Sequence, residues 1–399
     1  MLDILIIAHF TQVPGETGNG RFPYIAKNID KNKADVEIVT SDFSHRAKRK
    51  RVVNAEEVNN LNYKLTMLYE PGYPKNVSLK RLYSHYIMGK SLKEYLNRRK
   101  KPDVIYCSSP SLDVARVAAQ YAERNKIRFI IDIQDLWPEA FKMVFHVPLV
   151  NDLIFYPMKK QADYIYSAAD EIIAVSQTYA ERALKVNRKC KEPTVVFLGT
   201  ELAYFDQLAK ENKIKNKPQD EIWLAYIGTL GHSYDLICVI DALALIKDKY
   251  NVKFIVMGDG PLKTKFEEYA EKRGVNAHFT GRLDYGKMVG LLSACDIAVN
   301  PISRGAAQSI INKHADYAAA GLPVLNTQEC PEYRHLLSEY NAGLNCENNN
   351  PVDLAEKLAQ LCENSDLRKA LGQNSRKLAE EKFDRGRTYK DIINKILFY

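Results

Sequence analysis

The feature that most constrains the fold is an alternation of short apolar runs with helical stretches. In the first half the runs begin with DILIIAHF (3–10) and DVEIVTSDF (35–43) and continue to TVVFLGT (194–200). Strands written as continuous apolar runs rich in β-branched residues are typical of a parallel sheet that helices cover on both faces. The pattern therefore predicts a doubly wound α/β fold.

The same alternation restarts after a polar, lysine-rich segment. QLAKENKIKNKPQDE (207–221) ends the first series, and IWLAYIGTL (222–230) opens a second one that reaches PVLNT (323–327). A chain of 399 residues is also too long for one ordinary core. We therefore predict two Rossmann-like domains that face a cleft, with ligands at the carboxyl ends of the strands.

Composition excludes several classes of protein. Hydrophobic residues make up 46% and charged residues 27%, as in globular chains. No apolar run reaches the roughly 18 residues that span a bilayer, and MLDILIIAHF lacks the basic lead of a signal peptide. The seven cysteines show no C-x-x-C pair and no zinc-site spacing, which fits reduced thiols. We expect a cytoplasmic protein.

The net charge of +8 is concentrated locally, as in HRAKRKR (45–51) and NRRKK (97–101). These runs are either solvated faces or contacts with membrane phosphates, a lipid-diphosphate acceptor or nucleic acid. Aromatic residues do not interleave with them, so nucleic acid is the least favoured partner. FKMVFHVPLVNDLIFYPMKK (141–160) is compatible with a membrane-facing segment or with a buried helix.

The segment SIINKHADYAAAGLPVL (309–325) gives an alanine-rich helix a polar head. Ser309 and Asn312 lie near the predicted helix start, and Lys313 lies within its first turns. The N–H groups of a helix N-terminus, a hydroxyl and an ammonium together suit a diphosphate. Asp316 follows Lys313 by three residues on the same face. The alternative is an ordinary capped helix with a Lys–Asp pair.

Two strand ends in the second half are rich in glycine, which lets a ligand approach the backbone. They are YIGTLGHSYD (226–235) and GDGPLK (258–263). The residues that we predict to line a phosphate site there are Gly228, Thr229, Gly231, His232, Gly258 and Gly260.

The order of these motifs resembles glycosyltransferase family 4, retaining enzymes of the GT-B fold. IINKHADYAAAGLPVL and IDIQDLWPEAF (131–141) carry the resemblance, and AYIGTLG, VMGDGP, FTGRLDYGKM and ACDIAVNP support it. The D-L-W-P-E stretch is similar to a bacterial surface-polysaccharide subgroup that includes N-acetyl-fucosaminyltransferases. The resemblance implies an acceptor-binding domain over 1–205, a domain over 206–380 that binds a nucleotide-sugar donor, and a last helix, 381–399, that packs on the first domain.

The resemblance also implies residue roles. Lys313 is the leading cation for the diphosphate, Arg282 is the second, and Asp316 is a carboxylate for the ribose hydroxyls. Gln308 stands where the family often has Glu, Gln134 where many members have His, and His232 where many have a basic residue. The remaining donor-site residues that we predict are Gly18, Ser309, Ile310 and Asn312. The predicted acceptor-site residues are His9, Gln134, Asp135 and Trp137, and either Asp135 or Glu139 polarises the acceptor hydroxyl.

The expected reaction needs no metal, because the chain contains no Asp-x-Asp pair. Lys313, Arg282 and helix N–H groups would stabilise the departing diphosphate. The expected donor is a UDP-linked N-acetylated amino sugar. The expected acceptor is a glycan or a polyprenyl-diphosphate-linked glycan, at the cytoplasmic face of the inner membrane, in capsule, O-antigen or exopolysaccharide synthesis. The alternatives are a UDP-sugar epimerase of the same fold and a degenerate binding subunit of an assembly complex.

Overall fold

The computed structural model describes residues 1–16, 20–76, 78–142, 148–305 and 310–398, with the backbone alone at 142 and 148–152. The chain divides into two compact units. The first unit comprises Met1–Val196 together with Tyr389–Tyr399, and the second comprises Phe197–Thr388. Each unit has its own parallel sheet.

The first unit is built on a seven-stranded sheet with the order β5–β2–β1–β6–β7–β8–β9, and β3 and β4 form a separate antiparallel pair. Its strands are β1 (Leu2–Ile7), β2 (Ala34–Ser41), β3 (Phe43–Ser44), β4 (Arg49–Lys50), β5 (Lys64–Leu68), β6 (Val104–Ser109), β7 (Arg128–Ile133), β8 (Glu171–Ala174) and β9 (Thr194–Val195). Its helices are α1 (Arg21–Asn28), α2 (Ala55–Asn59), α3 (Leu79–Arg98), α4 (Leu112–Asn125), α5 (Glu139–Lys142), α6 (Pro148–Ala168) and α7 (Gln177–Leu184).

The second unit is built on a six-stranded parallel sheet with the order β12–β11–β10–β13–β14–β15. Its strands are β10 (Ile222–Ile227), β11 (Val252–Met257), β12 (Ala277–Gly281), β13 (Ile297–Asn300), β14 (Val324–Asn326) and β15 (Gly343–Asn345). Its helices are α8 (Leu202–Glu211), α9 (Leu236–Ile246), α10 (Lys263–Arg273), α11 (Tyr285–Leu292), α12 (Asn312–Ala319), α13 (Pro331–Tyr340), α14 (Pro351–Glu363) and α15 (Ser365–Leu378), which continues as a π-helical turn, Ala379–Phe383. The last helix is α16 (Arg385–Leu397).

The strand orders confirm the predicted doubly wound α/β architecture. Ile4 of β1 pairs with Val36 of β2 on one side and with Val104 of β6 on the other, so the winding reverses beside β1. Leu224 of β10 likewise lies between strands β11 and β13. Such a reversal point opens a crevice at the carboxyl ends of the strands, where ligands of this architecture bind.

Local signals in the sequence set several helix ends. Asp235 caps α9 by accepting a hydrogen bond from the Cys238 N–H at 3.0 Å, and Asn364 caps α15 in the same way at Leu367. Helix α10 ends at Gly274, whose φ is 63°. A left-handed C-terminal residue of this kind favours glycine.

The boundary between the units falls at Val196/Phe197, nine residues before the predicted end of the first domain. The reason is α8, whose Leu202, Phe205 and Leu208 pack in the core of the second unit. The last helix is shorter than the predicted segment, and its Tyr389 and Ile392 pack in the core of the first unit. None of the helices within the described ranges is both long and apolar enough to cross a bilayer.

Candidate active site

Helix α12 stands at the reversal point of the second sheet, and Tyr317 fixes it there. The Ile227 N–H at the end of β10 donates to the Tyr317 hydroxyl at 3.0 Å, and this hydroxyl donates to the Val299 carbonyl of β13 at 3.1 Å. The phenol therefore bridges the two strands between which the crevice opens. This contact places the start of α12, with Lys313 as its second residue, at the edge of the sheet where a ligand is expected.

The side chain of Lys313 is buried, with only 6% of its surface exposed. Its Nζ has no hydrogen-bond partner among the described residues. It lies instead over two aromatic rings, 3.9 Å from the centroid of Tyr234 and 4.7 Å from that of Tyr226. Burial lowers the pKa of Lys313 well below its usual range. A buried ammonium without an anion is unfavourable, so a negatively charged ligand would be stabilised at this position.

The Lys–Asp pair of the alternative interpretation is absent at these two described residues, because Asp316 has other partners. Its Oδ1 accepts a hydrogen bond from the Tyr285 hydroxyl at 2.9 Å, and that hydroxyl also lies 3.0 Å from Thr200 Oγ1. Burial raises the pKa of Asp316 to about 6, against the opposing effects of the Tyr285 hydrogen bond and the Arg385 charge. Lys313 and Asp316 therefore remain separate groups that can each meet a ligand.

His314 contacts the backbone at the start of α12. Its Nδ1 accepts from the Ile311 N–H at 2.8 Å, and its Nε2 lies 3.1 Å from both Gln328 Oε1 and Asn300 Nδ2. Burial lowers the pKa of His314 to about 3. The neutral ring packs against Tyr333 with a centroid distance of 3.9 Å. Sequence reasoning did not select His314, because its partners come from a later strand end.

The four predicted glycines of this region fall into two groups. A Cβ at Gly258 would lie 1.8 Å from the Gly228 carbonyl oxygen, and one at Gly260 would lie 2.3 Å from the Leu230 oxygen. These two glycines therefore have a packing reason. A Cβ at Gly228, where φ is +143°, would lie 3.3 Å from Lys313 Nζ, whereas Gly231 meets nothing closer than 3.8 Å. Gly228 therefore leaves room beside the ammonium, and Gly231 has room at its Cβ position.

The other predicted donor residues differ in exposure. Ile310 is 1% exposed and packs in the apolar core, so only its backbone can meet a ligand. Asn312 is exposed as the first residue of α12, as are Thr229 and His232 in the loop after β10. Arg282 is exposed directly after β12, which is an edge strand. Gly18, Gln308 and Ser309 lie outside the described residues.

In the first unit, His9 follows β1 and is buried with both ring nitrogens engaged. Nδ1 lies 2.6 Å from Ser111 Oγ, and Nε2 lies 2.7 Å from Glu70 Oε2. Glu70 also accepts from Ser41 at 2.5 Å and from Ser84 at 2.6 Å. Burial would raise the pKa of Glu70, but these hydrogen bonds outweigh it and lower the pKa to about 2. His9 is therefore held in a network whose other members the sequence did not reveal.

The D-L-W-P-E stretch follows β7 in the same unit. Trp137 is 4% exposed and its ring stacks on that of His85, with 5.7 Å between centroids. Gln134 Nε2 is buried without a hydrogen-bond partner among the described residues. Glu139 forms an ion pair with Arg182. Burial raises the pKa of Asp135, whose carboxylate also accepts the Leu136 N–H. Of the two predicted carboxylates, only Asp135 has no ion-pair partner within the described part of the chain.

Two family models match the chain. Residues 24–203 match the model described as Glycosyltransferase Family 4, and residues 208–378 match the model described as Glycosyl transferases group 1. An uncharacterized glycosyltransferase of Methanocaldococcus jannaschii is 25% identical over 253 residues, which are 62% of this chain and 64% of that protein. The probable glycosyltransferase WbjE of Pseudomonas aeruginosa is 26% identical over 249 residues, 59% of this chain and 60% of WbjE. The chain thus spans less than two thirds of the length of these relatives.

Solved structures match over nearly the whole chain. HepE of Anabaena, in complex with UDP and glucose, superposes with a TM-score of 0.67 at 15% identity, covering 99% of both chains. WaaG, a glycosyltransferase involved in lipopolysaccharide biosynthesis, superposes with a TM-score of 0.64 at 16% identity, covering 98% of this chain and 99% of WaaG.

These similarities identify the class of protein. The fold is that of GT-B glycosyltransferases, with two parallel-sheet α/β domains. Together with the family models, they support a family 4-like glycosyltransferase. The resemblance that the motifs suggested is therefore supported at the level of the family, and the fucosaminyltransferase subgroup stays a prediction.

Proposed function

We propose that this protein is a retaining glycosyltransferase that moves a sugar from a nucleotide diphosphate to a glycan acceptor. The observation that carries the proposal is the buried ammonium of Lys313, which has no partner among the described residues and lies at the reversal point of the second sheet. A diphosphate is the ligand that satisfies such a group, together with the N–H groups at the start of α12.

The proposed chemistry follows from the charge that develops on the leaving group. As the bond between the anomeric carbon and the diphosphate breaks, negative charge grows on the phosphate oxygens, and Lys313 and Arg282 stabilise it. The acceptor hydroxyl attacks the same face of the sugar, and a leaving phosphate oxygen takes its proton. No enzyme nucleophile is required, so the protein acts by positioning and electrostatics. We expect transfer to proceed without a divalent metal.

Asp316 is the proposed partner of the ribose. Its carboxylate needs to be ionised to accept hydrogen bonds from both ribose hydroxyls, and its pKa of about 6 leaves it ionised at neutral pH. Tyr285 donates to Oδ1 and so orients the carboxylate. The hydrogen bond between Tyr285 and Asp316 explains why this carboxylate lies one turn after Lys313 without forming an ion pair with it.

The proposed donor is a UDP-linked N-acetylated amino sugar and the proposed pathway is surface polysaccharide synthesis. HepE, which shares the fold, is described with UDP and glucose, and WaaG as acting in lipopolysaccharide biosynthesis. The D-L-W-P-E stretch favours the amino sugar by its resemblance to the surface-polysaccharide subgroup.

The outer face of α3 supports contact with a membrane that carries the acceptor. Leu79, Leu82, Tyr83 and Tyr86 have the spacing of one helical face and are 84%, 44%, 60% and 49% exposed. Apolar and aromatic side chains flanked by lysines are typical of helices that lie in a membrane interface. We propose that this stripe, called the α3 stripe below, docks the enzyme on the cytoplasmic leaflet.

The test is calorimetric titration of the full-length protein with UDP, with and without EDTA, followed by assays of UDP release from UDP-sugars. Binding that survives EDTA, and release that requires an acceptor, are the expected results. Release of nucleotide without an acceptor would favour the epimerase. Absence of binding by both UDP and GDP would refute the transferase and leave the degenerate subunit.

A further inference from the structure

The first turns of α3 have an inverted polarity. The outward face is the apolar α3 stripe, whereas the inward face carries Arg81, Ser84 and His85, of which Ser84 and His85 are at most 2% exposed. Only further along does the inward face become apolar, with Met88 and Leu92. A helix that merely covers a sheet has the opposite arrangement. The polar inward residues therefore need a reason other than packing.

Among the described residues, neither Arg81 nor Lys48 forms an ion pair with a carboxylate, and Lys48 Nζ donates to the amide oxygen of Asn76 instead. The Arg81 guanidinium lies 4.5 Å from the centroid of Trp137 and 5.6 Å from that of Tyr73. Its Nη1 donates to the Asn76 carbonyl at 2.9 Å, and its Nε is buried without a partner among the described residues. Burial lowers the pKa of Arg81, and neither its hydrogen bond with Tyr73 nor the charges of Tyr73, Asp135 and Glu70 offset this.

Four other arginines of the first unit, buried or half-buried, have a guanidinium nitrogen within 3.0 Å of a carboxylate oxygen: Arg21 of Asp132, Arg51 of Glu16, Arg99 of Glu37, and Arg182 of Glu139. Buried Arg128 lies 3.8 Å from Glu171 and donates to the carbonyls of Lys395 and Ile396. Paired arginines of this kind are structural. Arg81 has the aromatic surroundings and the free donor that an oxyanion ligand would use.

Lys48 and His45 also contact Tyr73, whose hydroxyl forms a hydrogen bond with His45 Nδ1. Lys48 Nζ is 4.7 Å from the Tyr73 ring centroid and 3.4 Å from His45 Nδ1. Burial and the charges of Lys48 and Arg81 lower the pKa of His45 to about 4, so this ring is neutral at pH 7. Two cations and a neutral imidazole thus surround the aromatic ring of Tyr73. We call this group, Lys48, His45, Tyr73 and Arg81, the Arg81 pocket.

A metal site is the competing interpretation of the neighbouring cluster. Nitrogen or oxygen atoms of His9, Glu70 and His85 lie within 4.8 Å of one another. However, His9 Nε2 and Glu70 Oε2 already satisfy each other at 2.7 Å, and binding a metal would break that bond. The positive charge of Arg81 also disfavours a cation there, since it acts on His85 as well. The electrostatics favour an anion.

We infer that the Arg81 pocket binds a phosphoryl group of the acceptor, the diphosphate through which a lipid carries a glycan. The inference rests on the proposed function and adds a second phosphate site, in the unit that does not contain Lys313. Arg81 supplies the Nε–H donor that has no partner among the described residues, and Lys48 supplies a second charge. The α3 stripe on the outer face of the same helix turns would meet the lipid phase from which the diphosphate projects.

The test uses inorganic pyrophosphate and farnesyl diphosphate as probes, titrated into the full-length protein with saturating UDP occupying the nucleotide site. Wild type is expected to bind one equivalent, and Arg81→Gln to bind at least tenfold more weakly. The matched control is Lys80→Gln, which removes an exposed charge from the neighbouring position and is expected to stay within twofold. Thermal melting and UDP affinity check that Arg81→Gln folds.

The outcomes separate the alternatives. Farnesyl diphosphate that binds at least tenfold more tightly than pyrophosphate supports a lipid-linked source, whereas equal affinities support free pyrophosphate as the ligand. Equal losses in Arg81→Gln and Lys80→Gln, or stoichiometric zinc that pyrophosphate binding requires, would overturn the inference. If UDP does not bind at all, the proposed function fails, and the same titration in Lys313→Met still decides whether Arg81 holds a diphosphate.

Discussion

Replacing Lys313 by methionine should weaken UDP binding and stabilise the protein at the same time. Methionine has a similar length and no charge, so it removes the ammonium while it keeps the packing. In the free protein this ammonium is 6% exposed and has no hydrogen-bond partner among the described residues. Leaving such a group buried costs about 1–3 kcal/mol, and the contacts with Tyr226 and Tyr234 return about 0.5–2 kcal/mol. The net expectation is a gain in stability of about 1 kcal/mol.

The effect on binding has the opposite sign. A charge-assisted hydrogen bond to a phosphate contributes about 1.5–3 kcal/mol, and part of it is lost in withdrawing the ammonium from the two rings. We therefore expect UDP to bind at least tenfold more weakly, which corresponds to about 1.4 kcal/mol. Calorimetric titration measures the affinity. Thermal unfolding measures the stability, and a gain of this size raises the Tm by about 2–4 °C.

Lys249→Met is the matched control, because Lys249 is 71% exposed and pairs with Glu363 at the surface. It should change stability by less than about 0.5 kcal/mol and leave UDP affinity unchanged. A Lys313→Met protein that is less stable than wild type and binds UDP normally would refute the reasoning. That result would mean that Lys313 is a packing residue whose ammonium finds its partners within the protein.

Three further predictions follow from the same groups. UDP binding should take up protons at some pH between 7 and 10, because the diphosphate raises the lowered pKa of Lys313. Titrations across this range in two buffers of different ionisation enthalpy measure this, and no uptake by wild type at any pH in the range would contradict it. Asp316→Asn should weaken UDP binding. The stability of this variant relative to wild type should increase as the pH rises from about 4 through 6, because the raised pKa of Asp316 makes native wild type hold a proton that the unfolded chain releases. A stability difference that stays constant across this pH range would refute the burial of that carboxyl. Leu82→Glu in the α3 stripe should abolish flotation with anionic vesicles and keep UDP binding, whereas Leu245→Glu, at a residue 57% exposed, should float normally; equal flotation would refute membrane docking by the stripe.

The sheets and the position of Lys313 were predictable because both depend on local patterns. Apolar runs such as 222–230 contain strands, here β10 (Ile222–Ile227), whose burial follows from their own residues. The start of α12 at Asn312 followed from the polar head and the alanine-rich run behind it. Once the helix start is known, Lys313 in its first turn and Asp316 one turn later follow from helix geometry.

The surroundings of Lys313 were not predictable, because they come from contacts between distant segments. Tyr226 lies in β10 and Tyr234 in the loop after it, whereas Tyr317 reaches β10 and β13 from α12. The same limit explains Gly258 and Gly260. As a sequence pattern they indicate a ligand, but the packing of their loop against the β10 loop already requires them.

Lys313 and Arg81 share an unusual environment for cations. A buried cation without an anion lowers stability, and the chain avoids it elsewhere: Arg21, Arg51 and Arg99 each contact a carboxylate. Within the described residues, buried Lys313 and half-buried Arg81 lie against aromatic rings, and each has a nitrogen that has no partner. An anionic ligand would satisfy each of them. The proposed transferase, which joins a sugar diphosphate to a lipid-diphosphate acceptor, needs one such place for each diphosphate, and we propose that the two units supply one each.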